Sequence, residues 1–221
     1  MIRLVLLGPP TAGKSTLAHR AAAVLGVAQV NVGESLRRAA AADSALAGAL
    51  ARGRLVAGET VAGAVLAQLG APSGYVLEGF PRTAGQLARF DGWAAARGAR
   101  FLLLDLDPAA VAARFLARRT CRACRRAQYV PGPCQLCGGA LDARADATPE
   151  ALAAKLAVWH RDEAPMAAGL AAAGRLERLA VGGVAEEDFA RLMDHVMDRV
   201  MGSVLGRAGV MGTAGEIVDE P

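Results

Sequence analysis

Gly8-Pro9-Pro10-Thr11-Ala12-Gly13-Lys14-Ser15-Thr16 stands directly behind the apolar run Ile2-Arg3-Leu4-Val5-Leu6-Leu7. The segment reads G-x-x-x-x-G-K-S, in the strand-then-helix setting that gives this pattern its meaning. Backbone N–H groups of such a loop cradle phosphate oxygens at a helix N-terminus, where the partial positive charge favours an anion. Lys14 then reaches the β- and γ-phosphates, and Ser15 offers its hydroxyl to Mg²⁺. Gly8, Ala12, Gly13, Lys14, Ser15 and Thr16 are therefore candidate ligands of a nucleoside triphosphate. The bland alternative is a chance Gly-rich turn.

Outward from this loop, the pattern alternates short strands with helical crossovers. Strands are expected at Ile2–Leu7, Ala28–Val32, Tyr75–Leu77, Phe101–Asp105 and Arg175–Val181. Helices are expected at Ser15–Leu25, Glu34–Ala42, Ser44–Arg52, Glu59–Leu69 and Ala84–Arg97, then from Pro108 to about Arg119, from Thr148 to about Ala173, and at Glu186–Met201. Five such strands imply an α/β chain of the P-loop NTPase type, with a parallel sheet and helices on both faces. Residues 202–221 are rich in glycine and small side chains, have no periodic face, and read as a mobile tail.

At 221 residues the chain is long enough for one large domain with a small insert. No apolar stretch approaches the roughly 18 residues of a membrane span. Gly-Pro-Pro stops the N-terminal apolar run short of a signal peptide, so a soluble, cytoplasmic protein is expected. The net charge of +4 suits polyanionic ligands, nucleotide or nucleic acid alike. Much of it lies in Arg114, Arg118, Arg119, Arg122, Arg125 and Arg126, a run that on its own reads as a solvated face. Lysine occurs twice, at Lys14 and Lys155, in a chain that otherwise uses arginine.

All four cysteines fall in one short segment, as Cys121-x-x-Cys124, nine further residues, then Cys134-x-x-Cys137-Gly138-Gly139. Two such knuckles resemble a tetrahedral zinc ribbon with every position taken by protein, hence a structural metal. Structural thiols or a redox pair are the competing readings.

Five segments in order resemble the adenylate kinase branch of the nucleoside monophosphate kinases. They are the phosphate loop, Val32-Gly33-Glu34-Ser35-Leu36-Arg37, Leu77-Glu78-Gly79-Phe80-Pro81-Arg82-Thr83, Arg114-x₃-Arg118-Arg119 leading into the cysteines, and Arg144-Ala145-Asp146. The resemblance spans about residues 1–200. It implies a core (1–31, 71–119, 148–200), a monophosphate-binding insert (32–70), a zinc lid (120–147) and a tail (201–221). It also implies transfer of the γ-phosphoryl of Mg·ATP to a monophosphate, with ATP and AMP as partners, no nucleic acid or membrane partner, and a monomer.

Carried over position by position, Arg37 and Arg82 grip the acceptor's phosphate. Gln86 hydrogen-bonds its base, with Val32, Gly79 and the backbone around Val56 beside it. Arg114 stacks on the donor adenine, and the carbonyl of Gly182 meets that adenine's amino group. Lys14, Arg118 and Arg144 converge on the phosphoryl group in flight, while Glu78 faces Mg²⁺ with Ser15. Phosphoryl transfer is mostly positioning plus electrostatics, so several cations are needed to offset the repulsion between two anions.

Several positions depart from the family's usual pattern. Thr11 stands where Gly is usual, Ser15 replaces a common Gly, and Glu78 replaces Asp. Ala147 replaces an Asp in the lid hinge, and the lid is short. Val32 replaces a Thr that contacts the acceptor base, which leaves CMP or UMP open as acceptors. Lys155 occupies the position of an arginine that reaches into the phosphoryl path; it keeps the charge without the planar fork. A weakly catalytic nucleotide-binding protein, whose zinc ribbon and arginines serve a nucleic-acid or protein partner, is the reading from a different functional class.

Overall fold

A computed structural model describes residues 2–40, 74–93, 96–124, 127–129, 131–135, 137–143 and 147–181, with isolated positions at 48, 61, 63, 65, 69, 194 and 198; for residues 37–39 it describes the backbone alone. The expected helices 44–52, 59–69 and 186–201 and the tail lie wholly or mostly outside these residues.

The main sheet has five parallel strands in the order β2-β3-β1-β4-β8, where β1 is Arg3–Leu7, β2 Ala28–Asn31, β3 Tyr75–Glu78, β4 Arg100–Asp105 and β8 Leu176–Ala180. Strands buried on both faces read as continuous apolar runs, and side chains alternate between the two sides. Leu4 and Leu6 of β1, with Val76, Leu102 and Leu104, pack on one side with Leu17, Ala18, Ala21, Phe115 and Leu152. Val5 and Leu7, with Leu77, Phe101 and Leu103, pack on the other with Phe80, Phe90, Met166 and Leu170. Trp93 stacks on Phe80 at 5.6 Å between ring centroids, and Phe90 meets Phe80 and Phe101 edge-on.

Three of the described helices start at a side-chain cap that the sequence supplies. Helix α1 (Lys14–Leu25) leaves Gly13 at φ 88° and closes on Gly26 in the left-handed conformation. Helix α2 is Val32–Ala39. Helix α3 (Ala84–Asp91) is capped by Thr83 Oγ1, which accepts from the Gln86 N–H. Helix α4 (Pro108–Ala117) is capped by Asp107, whose carboxylate accepts from Ala109 and Ala110 N–H. Thr148 accepts from Ala151 N–H to open α5 (Pro149–Val158). A single π-helical segment, Trp159–Glu163, joins α5 to α6 (Ala164–Ala172).

Four expected boundaries need correction. Val32 opens α2 instead of ending β2. Helix α3 stops at Asp91, where Gly92 caps it, short of Arg97. Helix α4 ends at Ala117 because Arg118 turns extended, φ −61° and ψ 126°. Arg119 already belongs to a second sheet, the antiparallel β6-β5-β7 built from β5 Arg119–Cys121, β6 Ala127–Gln128 and β7 Leu141–Ala143. The long helix after Thr148 is interrupted by the π segment.

Candidate active site

Ligands of open α/β sheets bind outside the carboxyl ends of the strands, where neighbouring crossovers lead in opposite directions. Here β1 feeds the loop Gly8–Gly13 and adjacent β3 feeds Gly79–Thr83. Gly8, at φ 145°, passes so close to β4 that a Cβ there would lie 2.7 Å from the Leu104 carbonyl oxygen. Thr11 holds φ 61°, rare for a residue with a Cβ. Its hydroxyl lies 2.6 Å from the Pro10 carbonyl and 3.2 Å from that of Val111, which ties the loop to α4.

Lys14, the first residue of α1, curls back over the loop and donates to the carbonyls of Gly8 at 2.6 Å and Pro9 at 2.7 Å. Burial of its ammonium pulls the pKa down to about 8; Glu163 and Glu78 oppose the shift, while Arg82 and Arg118 reinforce it. Glu163, Arg82, Glu78 and Arg118 thus all lie near enough to act on the charge of Lys14.

Ser15 donates to Glu78 Oε2 at 2.6 Å, and Asn31 donates to Oε1 at 2.8 Å, with Gln29 Nε2 at 3.3 Å. Glu78 is 4 % exposed. Burial raises its pKa, and the hydrogen bonds from Ser15, Gln29 and Asn31 and the charge of Lys14 pull it back. A carboxylate and a hydroxyl side by side beneath the phosphate loop form the hard-oxygen donor set that suits Mg²⁺. Gln29 and Asn31 escaped the sequence reading; their one signal is that polar residues recur at alternate positions along an otherwise short strand.

On the other side of the cleft, Arg82 is anchored at its Nε, which donates to the Gly79 carbonyl at 3.0 Å. Its backbone N–H donates to Gln86 Oε1 at 2.7 Å, so the orientation of the Gln86 amide is set and its NH₂ end remains for a ligand. Gly79, at φ 81°, lies against Gly33 and Val32, and Val32 is buried. Arg82 Nη1 meets Glu163 Oε1 at 3.3 Å, a contact the sequence did not signal. Of Arg37 only the backbone, within α2, is described; Val56, Arg144 and Gly182 lie outside the described residues.

Arg114 is buried near the end of α4, its guanidinium 5.9 Å from the centroid of the Tyr129 ring. Arg118 sits at the junction between α4 and the small sheet. Lys155, in the last turn of α5, places its ammonium over the Phe115 ring at 4.8 Å.

The four cysteines converge beside the small sheet, with all four Sγ atoms within 4.8 Å of one another. Cys121–Cys137 and Cys124–Cys134 Sγ pairs stand 3.6 Å apart. A disulfide needs about 2.05 Å, whereas thiolates at about 2.3 Å from one tetrahedral ion lie roughly 3.8 Å apart. The donor set fits such an ion. Gln128 braces it, Nε2 donating to Cys134 Sγ at 3.3 Å while Oε1 accepts from Gln135 N–H. A Cβ on Gly139 would lie 3.0 Å from Cys121 Sγ, so the cradle has no room for a side chain there. The Cys121 thiol is pulled down to about 7, chiefly by the Cys124 N–H.

Comparison with known proteins agrees with this geometry. The AAA domain family profile matches residues 7–128. An adenylate kinase of Acidothermus cellulolyticus is 37% identical over 208 residues, covering 86% of this chain and 95% of the relative. One from Salinispora tropica is 34% identical over 211 residues, covering 87% and 97%. One from Moorella thermoacetica is 33% identical over 182 residues, covering 75% and 84%. With a phosphate loop, the Ser15–Glu78 pair and Arg82 at the strand ends, and relatives of this kind over most of its length, the chain belongs to the adenylate kinase family of nucleoside monophosphate kinases.

Proposed function

We propose that this protein transfers the γ-phosphoryl group of Mg·ATP to AMP, giving two molecules of ADP. The observation that supports the reading is the Ser15–Glu78 pair beside the loop that Lys14 closes, with Arg82 and Arg118 near enough to act on the Lys14 charge. Ser15 and Glu78 would hold the magnesium ion, which when bound offsets charge on the donor's phosphates. Lys14 exchanges its two loop carbonyls for phosphate oxygens. Arg82, with Arg37, takes the acceptor's phosphate, and the free NH₂ end of Gln86 meets the base. Arg118, Arg144 and Lys155 offset the charge in flight as the lid shuts water out. Arg114 and the carbonyl of Gly182 hold the donor adenine.

In the same reading the four cysteines hold zinc. Among its described residues the flap over 120–147 has strands of two and three residues and little core, so the metal stiffens it. The protein acts as a monomer in the cytoplasm, on nucleotides and not nucleic acid. Among the described residues no helix is long and apolar enough to cross a membrane. Val32 supports one refinement: an apolar side chain beside Gly79 gives the base no hydrogen bond, so discrimination against CMP and UMP is relaxed. ADP formation from ATP and AMP, followed by chromatography, tests the assignment. The wild type is expected to convert both, and Lys14→Ala to convert neither while keeping its fold. Full activity in Lys14→Ala refutes it.

A further inference from the structure

The helical stretch from Trp159 to Leu170 turns an inward stripe toward the sheet. Trp159, Met166, Ala167 and Leu170 all pack on the apolar side that holds Phe80 and Phe90. Glu163 falls between them on this stripe, with a side chain only 13% exposed. A carboxylate withdrawn from water in this way needs a partner. The partner is Arg82, whose Nη1 stands 3.3 Å from Glu163 Oε1.

Holding Arg82 in place does not require that contact. Arg82 Nε is tied to the Gly79 carbonyl, and its backbone N–H to Gln86, both from the loop it belongs to. Glu163 instead engages a terminal nitrogen, Nη1, in the part of the fork a phosphate would grip. Its charge also reaches Lys14. It stands at the end of the π-helical segment, where Ala164 N–H bonds back to Trp159. Such a segment inserts one residue into a helix and frequently marks a functional position.

We propose that Glu163 is an internal competitor for the acceptor's phosphate: a carboxylate that engages Arg82 and is displaced when a monophosphate binds. It lowers the affinity of the cleft for phosphate and so speeds departure of the product. This rests on the reading of Arg82 as the acceptor's phosphate ligand.

The test is the dissociation constant of AMP for Glu163→Gln and Glu163→Thr, measured by titration calorimetry at fixed ionic strength. CMP, UMP and inorganic phosphate are titrated in parallel. Because the gain belongs to the phosphate, both variants should bind every one of these ligands at least threefold more tightly. In turnover, KM should fall while kcat stays level or drops, and Glu163→Asp, which keeps the charge, should return toward the wild type. Binding that is unchanged or weaker for all four ligands overturns the proposal. So does failure of both substituted proteins to fold, because Glu163 would then be a structural counter-ion. Tightening for inorganic phosphate or CMP in a protein whose wild type ignores AMP leaves Glu163 as competitor and refutes AMP as acceptor.

Discussion

Carrying the protein from pH 7 to about pH 10 should disarm its phosphate loop without unfolding it. Burial under the loop brings Lys14 from 10.5 down to about 8. That difference corresponds to about 3 kcal/mol between the two protonation states. The folded pKa is depressed, so the cost of the buried charge is fully present below pH 8. Between pH 8 and 10.5 the unfolded chain binds the extra proton, and stability rises with pH through that window. A phosphate dianion against the ammonium reverses the balance and holds the proton on. The free enzyme's titration shows in kcat/KM and the loaded enzyme's in kcat. Initial rates of ADP formation across about pH 6 to 10, at constant ionic strength, should give kcat/KM level to about pH 8 and then falling about tenfold per unit. Over the same range kcat should hold. The urea midpoint of the wild type should rise relative to that of Lys14→Met between pH 8 and 10.5. A kcat/KM that stays level to pH 10, or a kcat that falls in step with it, would refute this account of the loop.

Three further outcomes follow from the site. Untagged protein should carry one zinc per chain by elemental analysis, and Cys121→Ser with Cys134→Ser should remove it and lower both Tm and turnover; metal retained by the double variant contradicts the four-thiolate site. Val32→Thr should sharpen preference for AMP over CMP and UMP by about three- to tenfold, the worth of one neutral hydrogen bond at roughly 0.5–1.5 kcal/mol, and an unchanged ratio would show that position 32 does not meet the base. Lys155→Ala should lower kcat at least about tenfold, near 1.4 kcal/mol of barrier, with KM nearly unchanged, and Lys155→Arg should raise it; a fully active Lys155→Ala would leave Lys155 with only its packing over Phe115.

The centre of the sheet was legible because β1, β3 and β4 are buried on both faces. Runs such as Leu4–Leu7 and Phe101–Leu104 admit few other readings, and Asp107-Pro108 and Thr148-Pro149 mark helix starts by their own chemistry. The end of α4 was not legible. Nothing in Arg118-Arg119 forbids another helical turn; the pairing of Arg119 with Gln128 and Ala143, partners distant in sequence, stops it. Strands of two and three residues in the small sheet carry no period to read. The π segment likewise leaves no compositional trace.

At the site, Lys14 and Ser15 were readable from spacing because the loop fixes their geometry locally, and Glu78 was readable through the resemblance carried by Leu77–Thr83. Asn31, Gln29 and Glu163 were not, since each acquires its role by folding against a residue dozens of positions away. Glu163 in particular reads as one more charge in His160-Arg161-Asp162-Glu163 until the helix turns it inward.

The central claim is phosphoryl transfer from ATP to AMP, and a panel of acceptors tests it most directly. Purified protein is given Mg·ATP with AMP, GMP, CMP or UMP, each in turn, and the diphosphates formed are quantified. The account predicts AMP as the best acceptor, with two ADP produced for each ATP consumed and no reaction when magnesium is chelated. A clear preference for CMP or UMP, or hydrolysis of ATP without a diphosphate formed from any acceptor, would contradict it.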